Sequence, residues 1–138
     1  MKTNDDAGAA ENEQLILIVD DQPDMLQLMS FNLQREGYRV DTASDGAVAV
    51  DKAMMRKPDL IIVDLILPEI NGFSLCELFR RSPATARTPI IMVSGWDHNL
   101  ARHVSLESGA NDFVSKPFSS HDLVERIRTL LERATPKS

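Results

Sequence analysis

Three aspartates, a serine and a lysine carry the chemistry that this sequence offers, and all of them lie at the ends of short apolar runs. Asp20 and Asp21 follow LILIV, Asp64 follows LIIV, Ser94 follows IIMV and Lys116 follows DFVS. Clustered carboxylates repel one another, and burying them unpaired is costly. A hard divalent cation relieves that repulsion: Mg²⁺ takes oxygen ligands, keeps several waters, and is held by one or two carboxylates plus phosphate oxygens. Lys116 would supply a point positive charge for a phosphoryl or carboxylate oxygen. A carboxylate can itself act as a nucleophile and form an aspartyl-phosphate. Such a transfer needs in-line positioning and charge neutralisation more than an elaborate base, and Ser94 could donate a hydrogen bond to the transferred group. Singly, each residue has a plainer use. An aspartate after a strand is commonly a turn former or helix cap, a Lys-Pro pair a solvated turn, and a serine a partner for the backbone. Their shared position at strand ends favours the chemical reading.

The elements that must position these groups alternate five times between a short apolar run and an amphipathic stretch. Leu15–Val19, Leu60–Val63 and Ile90–Val93 are continuously apolar, as expected of parallel strands buried on both faces. Tyr38–Thr42 is more polar and reads as an edge strand, and Asp112–Ser115 as a short fifth strand. The first helix opens at Pro23, carries Leu26, Met29 and Leu33 at helical spacing, and stops at Gly37. Further helices are predicted over Ala47–Met55, Phe73–Arg81 and Asn99–Ser108, the last closed by Gly109. Ser119 or Ser120 caps a final helix whose Leu123, Ile127 and Leu130 form one stripe. Regular alternation of this kind implies a parallel sheet with helices on both faces. Its ligand site is expected at the carboxyl ends of the strands.

The 138 residues suffice for one domain. Apolar residues make up 43% and charged residues 26%, with a formal net charge of −6. That acidity disfavours direct nucleic-acid binding, which draws its affinity from cationic side chains. No apolar run approaches the roughly 18 residues that would span a bilayer. The single Cys76 precludes an intramolecular disulfide and fits a reducing, cytoplasmic setting. Residues 1–13 read as a disordered lead-in, 14–133 as the folded domain, and 134–138 as a tail or linker start.

From about Gln14 to Arg133 the chain resembles a receiver domain of two-component response regulators. The resemblance rests on ILIVDDQPD (Ile16–Asp24), DLIIVDLILPEING (Asp59–Gly72), PIIMVSG (Pro89–Gly95) and GANDFVSKPF (Gly109–Phe118). It implies a flavodoxin-like (βα)5 α/β sandwich with strand order 2-1-3-4-5. It further implies that Asp64 is the phosphoacceptor and that Mg²⁺ is held by Asp21 directly, by Asp20 largely through water, by Asp64, and by the Ile66 backbone carbonyl. Ser94 would be the switch hydroxyl, Phe113 the switch aromatic and Lys116 the phosphate-contacting lysine. The implied phosphoryl donor is a sensor histidine kinase or a histidine phosphotransfer protein. On phosphorylation the hydroxyl would move toward the phosphoryl group, the aromatic would turn inward, and the face made by the fourth helix, fifth strand and fifth helix would change its binding preference. The domain would assist its own phosphorylation and dephosphorylation without turning over an external substrate.

Several positions individualise the chain. Ile66 and Trp96 each lie two residues after a site residue, where polar residues are common in the family. As bulky apolar groups they are expected to hinder a hydrolytic water and lengthen the phosphoryl lifetime, unless both point away. Phe113 stands where many members have tyrosine. The segment KPFSSHDLVERIRTLLER resembles receivers that precede winged-helix DNA-binding domains, which implies a homodimer through the fourth helix, fifth strand and fifth helix. Arg102 would pair with Asp122 and Asp112 with Arg126, whereas Asn111 replaces an aspartate that would have paired with Arg133. His98, His103 and His121 read as surface residues, Cys76 as a small core residue, and Met25, Met29, Met54 and Met55 as core packing. Without metal, Asp64→Asn should stabilise the fold by relieving repulsion.

Three other readings compete. An aspartyl-phosphate phosphatase of the haloacid-dehalogenase type wants a second aspartate where Ile66 stands. A flavin-binding flavodoxin-like module wants a Ser/Thr/Gly-rich phosphate loop where Asp20 and Asp21 stand. A phosphorylation-independent receiver, acting only as an interaction module, would have no need of the intact set of Asp20, Asp21, Asp64, Ser94 and Lys116.

Overall fold

Leu15–Val19 (β1), Leu60–Asp64 (β3) and Ile90–Ser94 (β4) are buried at every position, as parallel strands covered on both faces require. They belong to a computed structural model that describes residues 14–96 and 98–134, without the His98 side chain. The predicted lead-in over 1–13 lies outside the described residues, as does the predicted tail over 134–138 except Ala134, which ends the last helix. With Arg39–Ala43 (β2) and Asp112–Ser115 (β5) the strands form one parallel sheet in the order β2-β1-β3-β4-β5, which is the expected fold. The more polar β2 is indeed an edge.

Five helices connect and flank the strands: Pro23–Arg35 (α1), Gly46–Arg56 (α2), Gly72–Arg81 (α3), His98–Glu107 (α4) and Ser120–Ala134 (α5). Local chemistry sets their ends. Pro23 occupies the first turn of α1, where its missing N–H costs nothing. The side chains of Asp45, Asn71 and Ser119 accept from the backbone N–H groups of Val48, Ser74 and Asp122 and so cap α2, α3 and α5. Gly37 and Gly109 follow α1 and α4 with φ of 96° and 110°, a left-handed turn that glycine makes without strain.

Alternate residues of each strand feed two cores. Leu17, Val19, Ile61, Val63 and Met92 pack with Ala49 and Ala53 of α2, with Leu75, Cys76 and Phe79 of α3, and with Ala101 of α4. Ile16, Ile18, Ile62, Ile91 and Val93 pack with Met29 and Leu33 of α1 and with Leu123, Ile127 and Leu131 of α5. Cys76 is a core residue as expected, and burial pushes its thiol up to about 11. Met29 is buried and Met25 and Met54 are half-buried, but Met55 is 82% exposed. Its assignment to the core is therefore corrected: Ala49 and Ala53 define the inner stripe of α2, and Met55 falls off it. No helix among the described residues is long and apolar enough to cross a membrane.

At the β2 edge, Asp41 accepts from Lys52 Nζ at 2.9 Å and from Arg56 Nη1 at 2.8 Å, while Lys52 also donates to the Thr42 carbonyl at 2.6 Å. Burial alone would raise the Asp41 carboxyl, but the Lys52 hydrogen bond, the Thr42 N–H and the charges of Lys52 and Arg56 outweigh it and hold the group below its usual 3.8. A carboxyl depressed in the folded state stabilises above the unfolded pKa, and the contribution disappears as pH falls through the folded value. Asp41→Asn should therefore cost about 1 kcal/mol at pH 7, since half-exposed pairs of this kind contribute little each. The difference from wild type should close below pH 3.8, and paired urea titrations at pH 7 and pH 3 measure it.

Candidate functional site

The strand register brings the predicted groups to one edge. Val19 pairs with Val63, Asp64 with Val93 and Ser94 with Ser115, so Asp20, Asp64, Ser94 and Lys116 leave the sheet side by side. Asp20, Asp64 and Ser94 are buried, Lys116 is half-buried and Asp21 is exposed. Lys116 Nζ donates to Asp64 Oδ2 at 2.9 Å and to Asp20 Oδ2 at 3.5 Å. One carboxylate oxygen from each of Asp20, Asp21 and Asp64 lies within 4.8 Å of the others. This all-oxygen donor set, open to solvent on the Asp21 side, fits a hard cation such as Mg²⁺.

A local device that sequence reasoning missed fixes three of these side chains. Asp20 Oδ1 accepts from Gln22 N at 2.9 Å, Asp64 Oδ1 from Ile66 N at 3.0 Å, and Ser94 Oγ from Trp96 N at 3.0 Å. Each acceptor is thus held by the backbone N–H two residues on, as side chains of Asp and Ser do in turns. The second aspartate oxygen is left to face Lys116, and Ser94 keeps its own O–H to donate. The signal lay in the sequence as an Asp or Ser ending a strand: the turn-forming use is the one observed, and it leaves an oxygen of each side chain for other partners.

Gly72 brings α3 onto this edge. Its N–H donates to the Leu65 carbonyl at 2.7 Å. A Cβ there would lie 2.8 Å from the Asp64 carbonyl oxygen and 2.9 Å from Met92 Cε, so only glycine permits the approach.

The charges of Asp20 and Lys116 are both set by burial and pairing. Burial pushes the Asp20 carboxyl up, and neighbouring Asp64 adds to this, while the Gln22 N–H and Lys116 oppose it. Burial works against the Lys116 charge, but the hydrogen bond and charge of Asp64, then those of Asp20, prevail and raise the ammonium. The lysine is therefore the resident counter-ion of the acid pair.

The remaining predicted residues fall as follows. Ile66 and Trp96 are 47% and 55% exposed on the loops that follow Asp64 and Ser94. Phe113 is buried with Met92 and Ala101, so the inward position implied as a response is already taken. Lacking a hydroxyl, its ring has no polar tip to keep in water. Arg126 donates within the chain to Asp112 at 2.8 Å and to Asp122 at 3.1 Å, while Arg102 is exposed on α4. His103 is exposed 3.3 Å from Glu107 and His121 is exposed; the His98 side chain lies outside the described residues.

Comparison with known proteins bears on this geometry. The chain is 40% identical over 119 residues to the alkaline phosphatase synthesis transcriptional regulatory protein PhoP of Bacillus subtilis, covering 86% of this chain and 49% of that protein. It is 39% identical over 122 residues to the phosphate regulon transcriptional regulatory protein PhoB of Rhizobium meliloti, covering 88% and 54%. The chain thus spans about half the length of these relatives. A CheY-like response regulator receiver domain protein from Methanospirillum hungatei superposes with a TM-score of 0.82 at 30% identity, over 88% of this chain and 95% of that one. Residues 16–128 match the family model of the response regulator receiver domain, and the chain belongs to that family.

Proposed function

We propose that Asp64 accepts a phosphoryl group from the phosphohistidine of a sensor histidine kinase or histidine phosphotransfer protein. The observation that carries this reading is Lys116 bridging Asp64 and Asp20, with a carboxylate oxygen of Asp21 within 4.8 Å of theirs. Asp64 attacks phosphorus, an oxygen–phosphorus bond forms, and the nitrogen–phosphorus bond of the donor breaks, with the electron pair leaving on the imidazole. Lys116 then turns from the carboxylate to a phosphoryl oxygen, and the Ser94 O–H donates to another. Asp20, Asp21 and Asp64, with the Ile66 carbonyl, would hold Mg²⁺. When bound, the ion supplies charge neutralisation to the phosphoryl oxygens. Acetyl phosphate with Mg²⁺ should label the chain, and peptide mapping should find the label on Asp64; a label on another residue would contradict the assignment.

The output assigned to the α4–β5–α5 face is dimerisation or partner binding through Arg102, Asp112, Asp122 and Arg126. Any pair between copies must compete with or share the bonds that Arg126 already makes to Asp112 and Asp122. The setting is cytoplasmic, where the kinase domain would deliver its phosphoryl group.

Ile66 and Trp96 are assigned to the lifetime of the phosphoryl group. Ile66 offers no hydrogen bond and the Trp96 indole N–H can only donate, so neither side chain can accept a proton from an attacking water; they are exposed on the loops that follow Asp64 and Ser94. Ile66→Asn with Trp96→Ala should speed dephosphorylation about tenfold, an effect typical of a small change in water positioning. Phosphoryl loss after removal of the donor measures this, and an unchanged rate would mean that both side chains stand clear of the water's path.

A further inference from the structure

Arg80, in the last turn of α3, donates to five neutral oxygens. Nε reaches the Gly109 carbonyl at 2.8 Å, Nη1 the carbonyls of Thr85, Ala86 and Thr88 at 3.2, 3.3 and 2.7 Å, and Nη2 the Asn111 side-chain oxygen at 2.8 Å. The three middle acceptors lie in the irregular segment 82–88; the outer two belong to the turn between α4 and β5. The contact is close. A Cβ on Gly109 would lie 2.7 Å from Arg80 Cγ.

Asn111 is the hub on the far side. Its Oδ1 accepts from Arg80 and also from Ile90 N at 2.8 Å, while its own N–H donates to the Ile90 carbonyl at 2.8 Å. It therefore extends the β4–β5 ladder by one rung and ties that rung to α3. The next residue, Asp112, is the partner of Arg126. The other end of α3 closes on Leu65, beside Asp64. Asn111 is thus more than a missing ion-pair residue: it gives Arg80 an uncharged acceptor at the entry to β5.

We propose that Arg80 is a strut that makes α3, segment 82–88 and the α4–β5 turn open and shift as one unit, so that the turn leading into Asp112 follows the helix that abuts Asp64. The static clamp stands apart from the phosphoryl reading; only its response to phosphorylation rests on that reading.

Hydrogen exchange by mass spectrometry on the full chain tests the strut, using wild type, Arg80→Lys and Asn111→Asp. Lysine keeps the charge and the aliphatic stem, but its donors sit at one point and cannot span five acceptors. Arg80→Lys should speed exchange about tenfold in both 84–89 and 108–112, leaving β1 and β3 unchanged. Asn111→Asp keeps the Oδ1 that accepts from Ile90 N and Arg80 and ionises it, which strengthens the bond, so exchange should slow over 84–89 as well as near the substitution. Acceleration confined to 84–89 in Arg80→Lys, or no change over 84–89 in Asn111→Asp, would overturn the strut. After acetyl phosphate and Mg²⁺, at equal mass gain, the exchange change over 108–115 should be at least about threefold smaller in Arg80→Lys. An equal response at equal mass gain would refute the coupling. No mass gain even in wild type would strike the phosphoryl reading instead, and the clamp would then be decided by exchange in the unphosphorylated protein.

Discussion

Lys116→Ala should destabilise the metal-free protein by roughly 3 kcal/mol at pH 7, the loss typical when one partner of a buried charge cluster is removed. The reason is the site's charge balance. Asp20 and Asp64 are 1% and 6% exposed, and Lys116 is the cation that reaches both, at 3.5 and 2.9 Å. Without it, two buried carboxylates face each other with only the N–H groups of Gln22 and Ile66 in support. Mg²⁺ should restore much of the loss, because a ligand at about 100 times its dissociation constant contributes about 2.7 kcal/mol by mass action. Urea titrations with Mg²⁺ and with EDTA measure both effects. A loss that Mg²⁺ leaves untouched would mean that the lysine matters through the packing of its stem and not through its charge.

Asp20→Asn should do the opposite and stabilise the metal-free protein by about 1–2 kcal/mol, since burial without full compensation works against a charge. That corresponds to a rise in Tm of about 4–8 °C for a domain of this size. The sequence alone pointed to Asp64→Asn for this gain, and the geometry shifts the choice. Lys116 lies closer to Asp64 than to Asp20, and burial raises the Asp20 carboxyl above its ordinary value. Asparagine keeps the Oδ1 that accepts from Gln22 and removes the charge. The same substitution should shrink the stabilisation by Mg²⁺, because one of three candidate ligands loses its charge. Melting curves in EDTA would contradict this if Asp20→Asn were less stable than wild type.

The strands and the site were legible because the same residues report both. A buried parallel strand must be apolar throughout, so the first polar residue after each run marks the carboxyl edge where the ligand groups gather. Element ends were less legible, for local reasons. β2 starts at Arg39 and not Tyr38 because the Tyr38 N–H is spent on the Leu33 carbonyl at the end of α1. α2 and α3 start one residue early, at Gly46 and Gly72, because Asp45 and Asn71 cap them. Partnerships were the least legible. A sequence gives residue types, yet it does not say that Arg80 would spend its guanidinium on five neutral oxygens, or that Arg126 would pair within its own chain. Phe113 was identified as an aromatic of interest, but whether its ring lay inside or outside depended on the space beside Met92 and Ala101.

The most direct test of the central claim is intact mass after incubation with acetyl phosphate, with Mg²⁺ or with EDTA, on wild type and Asp64→Asn. A gain of about 80 Da, one phosphoryl group on an aspartate, is predicted in wild type with Mg²⁺ and in no other sample. An equal gain in Asp64→Asn, or no gain in folded wild type with Mg²⁺, would contradict the assignment of Asp64 as a Mg²⁺-dependent phosphoacceptor.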